Sequence, residues 1–195
     1  MARASGLLLT GGSSRRLGID KATLVVDGIT LAARGAAVLQ AVCDVVVEVG
    51  PGASGLPAVR EDPPGAGPLA ALAAGADELA RRGALGPTIL LAVDLPRVSP
   101  SFLELLRDWP GAPTVVPAVD GRLQLVCARY GADALTAARS LVTGGISSLR
   151  GLLDVIDHDV VDEPMWAAIA TADVLADVDT PADAAQLGIA LDEGR

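Results

Sequence analysis

Glycines, hydroxyl residues and cations follow a short apolar run near the amino terminus, in the order GLLLTGGSSRRLGIDK over residues 6–21. A polyphosphate needs backbone amides that approach it closely, which glycine permits, and cations that neutralise its oxygens. Gly11 and Gly12 can supply the amides, and Arg16 and Lys21 the positive charge. The segment matches neither the P-loop nor the dinucleotide-binding glycine pattern. It predicts a phosphate-binding loop of another type, with an ordinary glycine-serine turn as the alternative.

A second candidate is Asp94, which follows the apolar run of TILLAVDLP at residues 88–96. In open α/β sheets, ligands bind beyond the carboxyl ends of the strands, so a carboxylate there can hold Mg²⁺ against substrate phosphates. Aspartate is also common in turns that end strands, which is the alternative interpretation. Asp94 is the residue that this pattern favours most as a magnesium ligand.

A loop rich in proline and glycine, VREDPPGAGPLAAL, covers residues 59–72 and contains Asp62. Such a loop can wrap a base or a ribose, and the Asp62 carboxylate could accept hydrogen bonds from a guanine edge or a sugar hydroxyl. The same composition equally fits a rigid segment that leads into a helix. Both interpretations place the loop immediately before a helix.

The last candidate segment, DVDTPADA at residues 177–184, carries Asp177 and Asp179 just before a predicted helix start. A second carboxylate from this segment could complete a metal site with Asp94. Acidic residues next to a helix N-terminus are also expected from the helix macrodipole alone.

The elements that must position these segments follow an alternating pattern. Short β-branched runs alternate with alanine-rich stretches, which is typical of βαβ units on a mostly parallel sheet. Apolar residues at helical spacing from Leu69 to Ala80 predict a helix that Gly83 stops, and Ser99 and Thr180, each followed by proline, predict two further helix starts. The predicted strands cover residues 6–10, 45–49, 88–93, 114–117 and 123–128.

Composition supports the same architecture. Hydrophobic residues make up 51% of the 195 residues but aromatic residues only 2%, so the core must be built from alanine, valine and leucine in thin layers of helix against sheet. A chain of this length supports one domain, residues 1–195. Cys43 and Cys127 lie in apolar runs without metal-binding spacing and are expected to be buried.

The net charge and the hydropathy of the chain limit the kinds of partner that it can bind. A formal net charge of -9 argues against binding to nucleic acid or to anionic lipid, because such contacts depend on clustered lysine and arginine. No apolar run approaches the roughly 18 residues that a membrane span requires. We therefore expect a soluble, cytoplasmic protein that does not bind nucleic acid or membranes.

Taken in order, the four segments resemble the molybdenum cofactor guanylyltransferase family, within the sugar-nucleotide-type nucleotidyltransferases. LTGGSSRRLGIDKATL is similar to that family's LAGGxSxRMGxDKxxL signature, EDPPGAGPLAAL to its D…GPLxGL loop, AVDLP to its metal-binding CDxP element and DVDTPADA to its NxNTPEDL ending. The resemblance spans nearly the whole chain. It implies a single-domain, Rossmann-like, three-layer α/β fold with a mostly parallel central sheet.

The resemblance also implies roles for individual residues. Residues of the first segment would bind the nucleotide and its phosphates: Leu9, Thr10, Gly11, Gly12, Arg16 and Lys21. Asp62 would contact guanosine, and Asp94, with Asp179 as a second candidate, would bind Mg²⁺. Arg16, Lys21 and Asp94 would be the catalytic residues.

The implied reaction transfers GMP from GTP to molybdopterin and releases pyrophosphate, with molybdoenzyme maturation proteins as further partners. The chain departs from the family pattern at Thr10, where alanine is usual, and at Asp177 and Asp179, which replace asparagines. Gln124 matches the family's pterin-side element only in part. Two alternatives stay open: transfer from CTP or to another phosphorylated acceptor, and a nucleotide-binding regulatory subunit without turnover.

Overall fold

A mixed, mainly parallel sheet forms the centre of the molecule in the computed structural model, which describes residues 4–11 and 20–189. The strands along the chain are β1 (Ser5–Leu9), β2 (Val25–Val26), β3 (Ile29–Thr30), β4 (Val45–Val49), β5 (Ala58–Val59), β6 (Thr88–Ala92), β7 (Thr114–Val119), β8 (Arg122–Leu123), β9 (Cys127–Tyr130) and β10 (His158–Asp162). Within the described residues, β2 and β3 form a separate hairpin and the other strands form one sheet.

Helices connect β3 to β4, β5 to β6, β6 to β7 and β9 to β10, and several begin at a serine or threonine cap. They are α1 (Leu31–Val42), α2 (Pro68–Arg81), α3 (Pro100–Asp108), α4 (Ala132–Thr143), α5 (Leu149–Leu153), α6 (Glu163–Trp166) and α7 (Pro181–Gln186). The predicted caps at Ser99 and Thr180 are confirmed, because each side chain accepts a hydrogen bond from a backbone amide of the first helical turn. Short 3-10 helices cover Lys21–Thr23 and Ala172–Leu175.

The sheet order is β10–β7–β9–β6–β1–β4–β5, with β8 paired to β7. Strand β1 runs parallel to both β4 and β6, and Leu9 at its end lies opposite Val49 and Ala92. The three strands therefore end at the same edge of the sheet, where their following loops meet. Strand β9 runs antiparallel to β6 and β7.

Helices cover both faces of the sheet, which gives the expected three layers. One apolar cluster joins Leu8 and Ile89 to Leu39 of α1 and Phe102 of α3, while a second joins Leu7 to residues of α2, α4 and α5. Phe102 also makes an edge-to-face contact with Trp166, at 5.4 Å between ring centroids. The rest of the core is mainly leucine, valine and alanine, as the composition predicts.

Most strand predictions lie within one or two residues of the observed bounds, but the strand predicted at 123–128 is wrong. It is divided between β8 and β9 by a turn in which Gln124 donates its backbone N–H to Pro117 and accepts from Cys127. Asp77 lies four residues before Arg81 on α2, a spacing that allows an ion pair along the helix, but its carboxylate contacts Arg139 of α4 instead. Tertiary contacts thus replace the local pairing that helical spacing suggests.

The expected burial of the two cysteines is confirmed. Cys43 and Cys127 are both buried and neither forms a disulfide; burial raises the pKa of each thiol to about 12. No helix in residues 4–11 and 20–189 has the length and apolar character needed to cross a membrane.

Candidate active site

A pocket of about 770 Å³ lies at the edge of the sheet where β1, β4 and β6 end. Leu9, Val49 and Ala92, the last residues of these strands, form part of its lining. The loops that follow the strands add backbone groups and charged side chains to the lining, from Thr10, Gly11, Gly50, Lys21 and Asp94. The position agrees with the rule that ligands bind beyond the carboxyl ends of strands in open α/β sheets.

At one side of this pocket, Lys21 lies between two carboxylates that are distant in sequence. Its Nζ donates a hydrogen bond of 2.8 Å to Asp94 Oδ2 and a second hydrogen bond to Asp179 Oδ1. The exposed fraction of the side chain is 15% for Lys21, 22% for Asp94 and 44% for Asp179, so ligands can reach all three. We refer to Lys21, Asp94 and Asp179 as the lysine cluster.

Backbone contacts hold the two acidic members of the lysine cluster together. The amide of Val178 donates to the carbonyl of Asp94 at 3.0 Å, which places residues 177–179 beside the end of β6. A capping box fixes the next residues, since Asp183 accepts from the amides of Asp179 and Thr180 at 3.0 and 2.7 Å. The proximity of the two carboxylates therefore follows from the fold and does not depend on Lys21 alone.

Electrostatics keep this lysine charged. Burial lowers the pKa of Lys21, but hydrogen bonds to Asp179 and Asp94 outweigh it and the net pKa lies above the ordinary value. Partial desolvation, together with the negative charges of Asp179 and Asp94, raises the pKa of neighbouring Asp177, whose side chain is exposed. Asp94, Asp177 and Asp179 thus place three carboxyl groups near the single ammonium group of Lys21.

The structure brings most of the predicted nucleotide-binding residues to the pocket. Leu9, Thr10 and Gly11 line it, as do Lys21 and Asp94. Gly12 and Arg16 lie outside the described residues.

Asp62 is placed differently from these residues. It is exposed and does not belong to the described lining, whereas its neighbours Arg60 and Glu61 do. A contact of Asp62 with guanosine therefore stays a prediction, and Arg60 and Glu61 become the charged residues of this loop that face the pocket.

A family model for the MobA-like NTP transferase domain matches residues 6–176 of the chain, which includes β1, α2 and the loop that carries Asp94. The chain belongs to the MobA-like NTP transferase family. It is therefore a nucleotidyltransferase, and the glycine-rich segment, the strand-end aspartate and the pocket between them lie within the matched region.

Relatives of this MobA-like transferase agree in length and fold. A protein from Mycobacterium avium named "Probable molybdenum cofactor guanylyltransferase" is 33% identical over 184 residues, covering 89% of this chain and 92% of its own. A protein of the same name from Chloroflexus aggregans is 30% identical over 192 residues, covering 92% and 90%. The crystal structure of molybdopterin-guanine dinucleotide biosynthesis protein A from Archaeoglobus fulgidus superposes with a TM-score of 0.77 at 19% identity, covering 93% and 95%.

The lysine cluster of this MobA-like transferase has ligand atoms that suit a divalent cation. Mg²⁺ is usually held by one or two protein carboxylates together with substrate phosphates and water, and Asp94 and Asp179 offer two such carboxylates at the pocket. Among residues 4–11 and 20–189, no three histidine, cysteine, aspartate or glutamate side chains form a ready-made metal site. The donor set therefore fits an ion that is completed by the nucleotide.

Sequence reasoning missed three charged residues near the MobA-like pocket. Arg60 donates from Nε to the carbonyl of Gly50 at 3.3 Å, and Glu61 accepts from the amide of Gly65 at 2.9 Å, so both brace loops that line the pocket. Glu48 is fully buried behind the pocket at the end of β4. A glutamate in the otherwise apolar VVVEV run was the available signal for Glu48, because an isolated charge in a buried strand requires partners.

Proposed function

We propose that this protein transfers the GMP moiety of GTP to a molybdopterin cofactor and releases pyrophosphate, in a reaction assisted by Mg²⁺. The observation that carries the proposal is the lysine cluster, whose Lys21 and Asp94 line the same pocket as Thr10 and Gly11 of the first glycine-rich loop. The names of the relatives, at 30–33% identity over most of the chain, support the acceptor and the nucleotide.

In this reaction, an oxygen of the molybdopterin phosphate forms a bond to the α-phosphorus of GTP. The bond from the α-phosphorus to the bridging oxygen breaks, and pyrophosphate leaves with the electron pair of that bond. The attacking phosphate is already ionised at neutral pH, so no general base is required. The protein must instead position two anions in line and neutralise their charge.

The chain's own residues can perform both tasks. The Gly11 amide and the strand ends form a wall against which the triphosphate can lie. The Lys21 ammonium, held at the pocket by Asp94 and Asp179, can neutralise charge that develops on the departing pyrophosphate. Asp94 and Asp179 would hold Mg²⁺, which when bound neutralises phosphate oxygens and polarises the α-phosphorus.

Pyrophosphate release tests the proposal directly. Purified protein is incubated with Mo-molybdopterin or molybdopterin, with Mg²⁺, and with GTP, CTP, ATP or UTP in parallel. We expect pyrophosphate and a molybdopterin-guanine dinucleotide with GTP, and a background rate without acceptor. Pyrophosphate from CTP alone would reassign the donor nucleotide, and nucleotide binding without pyrophosphate release from any of the four would indicate a regulatory subunit.

A further inference from the structure

Glu48 is a buried carboxylate that the proposed reaction does not use. It is the fourth residue of β4, paired with Leu8 of β1 on one side and with Ala58 of β5 on the other, and none of its surface is exposed. Removing an ionised carboxylate from water is costly unless several donors replace the lost hydration. The fold must therefore supply these donors around Glu48.

Five hydrogen bonds satisfy this carboxylate. Oε1 accepts from the Thr10 hydroxyl at 2.5 Å and from the amides of Gly52 and Ala53 at 2.7 and 2.9 Å. Oε2 accepts from the amide and the hydroxyl of Ser54 at 2.8 and 2.5 Å. Burial raises the pKa of Glu48, but these bonds outweigh it and the net pKa is lowered, so the group is ionised at neutral pH.

The donors come from two loops that both reach the nucleotide pocket. Thr10 and Gly11 follow β1 and line the pocket, and Gly50 and Pro51 follow β4 and line it from the adjacent side. One carboxylate thus ties the start of the first glycine-rich loop to residues 52–54 of the second loop. We refer to Glu48, Thr10 and Ser54 as the glutamate cluster.

Close packing reinforces this connection. A Cβ atom added at Gly50 would lie 2.0 Å from Thr10 Oγ1 and 2.9 Å from the amide nitrogen of Gly11. The Thr10 amide also donates to the carbonyl of Val49 at 3.1 Å. The two loops are therefore in contact at Thr10 and Gly50. The orientation of the Thr10 side chain depends on Glu48, which accepts a hydrogen bond from its hydroxyl group.

We propose that Glu48 is a positioning residue for nucleotide binding, whose carboxylate holds Thr10 and Gly11 and the loop after β4 in the arrangement that receives a nucleoside triphosphate. The inference rests on the proposed function for the identity of the ligand. Glu48 acts through its hydrogen bonds to the two loops and not by touching the nucleotide. Pre-forming both loops removes the ordering cost that binding would otherwise include.

The test compares Glu48→Gln with a matched control, Glu78→Gln. Glu78 is another buried glutamate, but it binds Arg81 and Arg82 near the carboxyl end of α2, and lies about 15 Å along the helix from Pro68 at the pocket. Both substitutions replace one oxygen by an amide group and remove one negative charge. The dissociation constant for GTP with Mg²⁺ is measured by isothermal titration calorimetry, well below the melting temperature of each variant.

We expect Glu48→Gln to raise the Kd for GTP about tenfold or more, as loss of a charge-assisted hydrogen bond network implies. Glu78→Gln should change the Kd by about twofold at most, whatever it does to the melting temperature. A folded Glu48→Gln protein that melts earlier but binds GTP as tightly as wild type would overturn the proposal, because Glu48 would then serve folding alone.

Ser54→Ala provides a second test if Glu48→Gln does not fold. It removes one donor to Glu48 from a residue outside the described pocket lining and leaves four donors in place. We expect a smaller rise in Kd than for Glu48→Gln, because only one of the five hydrogen bonds to Glu48 is lost. An unchanged Kd in Ser54→Ala together with failed folding of Glu48→Gln would also count against the proposal.

Calorimetric titrations of the wild-type protein with GTP, CTP, ATP and UTP, together with the pyrophosphate assay, separate this inference from the proposed function. Wild-type protein that binds GTP but releases no pyrophosphate with any acceptor would overturn guanylyl transfer, while the Kd comparison would still decide the role of Glu48. Wild-type protein that binds none of the four nucleotides would overturn both.

Discussion

Two sets of carboxylates lie beside the same pocket, and they differ in the groups that neutralise them. In the glutamate cluster, Glu48 is fully buried and receives three of its five hydrogen bonds from backbone amides. In the lysine cluster, Asp94 and Asp179 are partly exposed and both bind the flexible side chain of Lys21.

We interpret this difference as one between a supporting group and the proposed reaction centre. Backbone amides within a packed loop cannot leave Glu48 without disrupting the loop, so that carboxylate is fixed to a single arrangement. The Lys21 ammonium stands on a four-carbon side chain and can turn from a carboxylate to a phosphate. We therefore expect substitutions in the lysine cluster to affect mainly turnover, and substitutions in the glutamate cluster to affect mainly binding and stability.

The largest effect should follow from Asp94→Asn. The substitution keeps the shape of the side chain but removes the charge that would hold a metal ion and orient Lys21, so we expect turnover to fall by about a thousandfold. The melting temperature should change little, because Asp94 keeps contact with solvent. The measurement is the initial rate of pyrophosphate release at saturating GTP and Mg²⁺.

Asp154→Asn serves as the control, since Asp154 is exposed after α5 and outside the described lining of the pocket. Near-normal pyrophosphate release from Asp94→Asn would contradict the role given to Asp94. It would also remove the expected contrast in turnover between the lysine cluster and the glutamate cluster.

Lys21→Met should have the next largest effect. Loss of the ammonium removes neutralisation of the departing pyrophosphate, and we expect kcat to fall by about a hundredfold with a smaller change in the KM for GTP. Arg139→Met, which removes a cation that pairs with Asp77 on the far side of α2, should keep normal kinetics. If Lys21→Met raised KM and left kcat unchanged, Lys21 would serve ground-state binding instead.

Glu48→Gln should lower the free energy of unfolding by about 2 kcal/mol at neutral pH, since a fully hydrogen-bonded buried carboxylate loses its charge. The effect should depend on pH. Because the folded pKa of Glu48 is lowered, its contribution is complete above the unfolded value of about 4.3 and is lost as pH falls through the folded pKa.

Urea unfolding of both proteins at a series of pH values measures this difference. The gap between wild type and Glu48→Gln should be widest near neutrality and should narrow as the pH is taken below about 4. A gap that stayed constant down to acid pH would show that Glu48 contributes by packing and not by charge.

Thr180→Ala should give the smallest effect. It removes the side-chain half of the capping box of α7, in which Thr180 Oγ1 accepts from the Asp183 amide at 3.2 Å, and should cost about 1 kcal/mol of stability. Because the cap lies next to Asp179, a modest fall in turnover should accompany it. Circular dichroism melting and the pyrophosphate assay together measure both effects, and unchanged turnover would show that the Thr180 side chain is not needed to position Asp179.

Much of the site could be predicted because it depends on local signals. The strands that end at the pocket are apolar runs with clear boundaries, and their parallel pairing brings the residues that follow them together. Lys21, Asp94 and Asp179 are separated by 73 to 158 residues, and only the two aspartates stand beside a predicted strand end or helix start. The rule about strand ends predicted the position of Asp94, and the segment DVDTPADA suggested that a second carboxylate could join it.

The glutamate cluster could not be predicted in the same way. In the strand VVVEV, Glu48 looks like a solvent-facing position, and the donors that explain its burial come from the loop PGASG and from Thr10 across the sheet. The helix LAARGAAVLQAV of α1 was missed because alanine and glycine give it a weak amphipathic pattern. The strand HDVVD of β10 was missed because charged residues occupy much of an edge strand.

Two helix glycines, Gly35 and Gly75, allow α1 and α2 to pack closely against opposite faces of β1. A Cβ atom at Gly35 of α1 would lie 2.7 Å from Leu8, and one at Gly75 of α2 would lie 2.6 Å from Leu7. Both helices are thus pressed against β1 with their backbones, and α2 cannot slide or rotate without losing that fit. Since Pro68 at the start of α2 belongs to the pocket wall, this close packing gives that part of the wall a rigid frame.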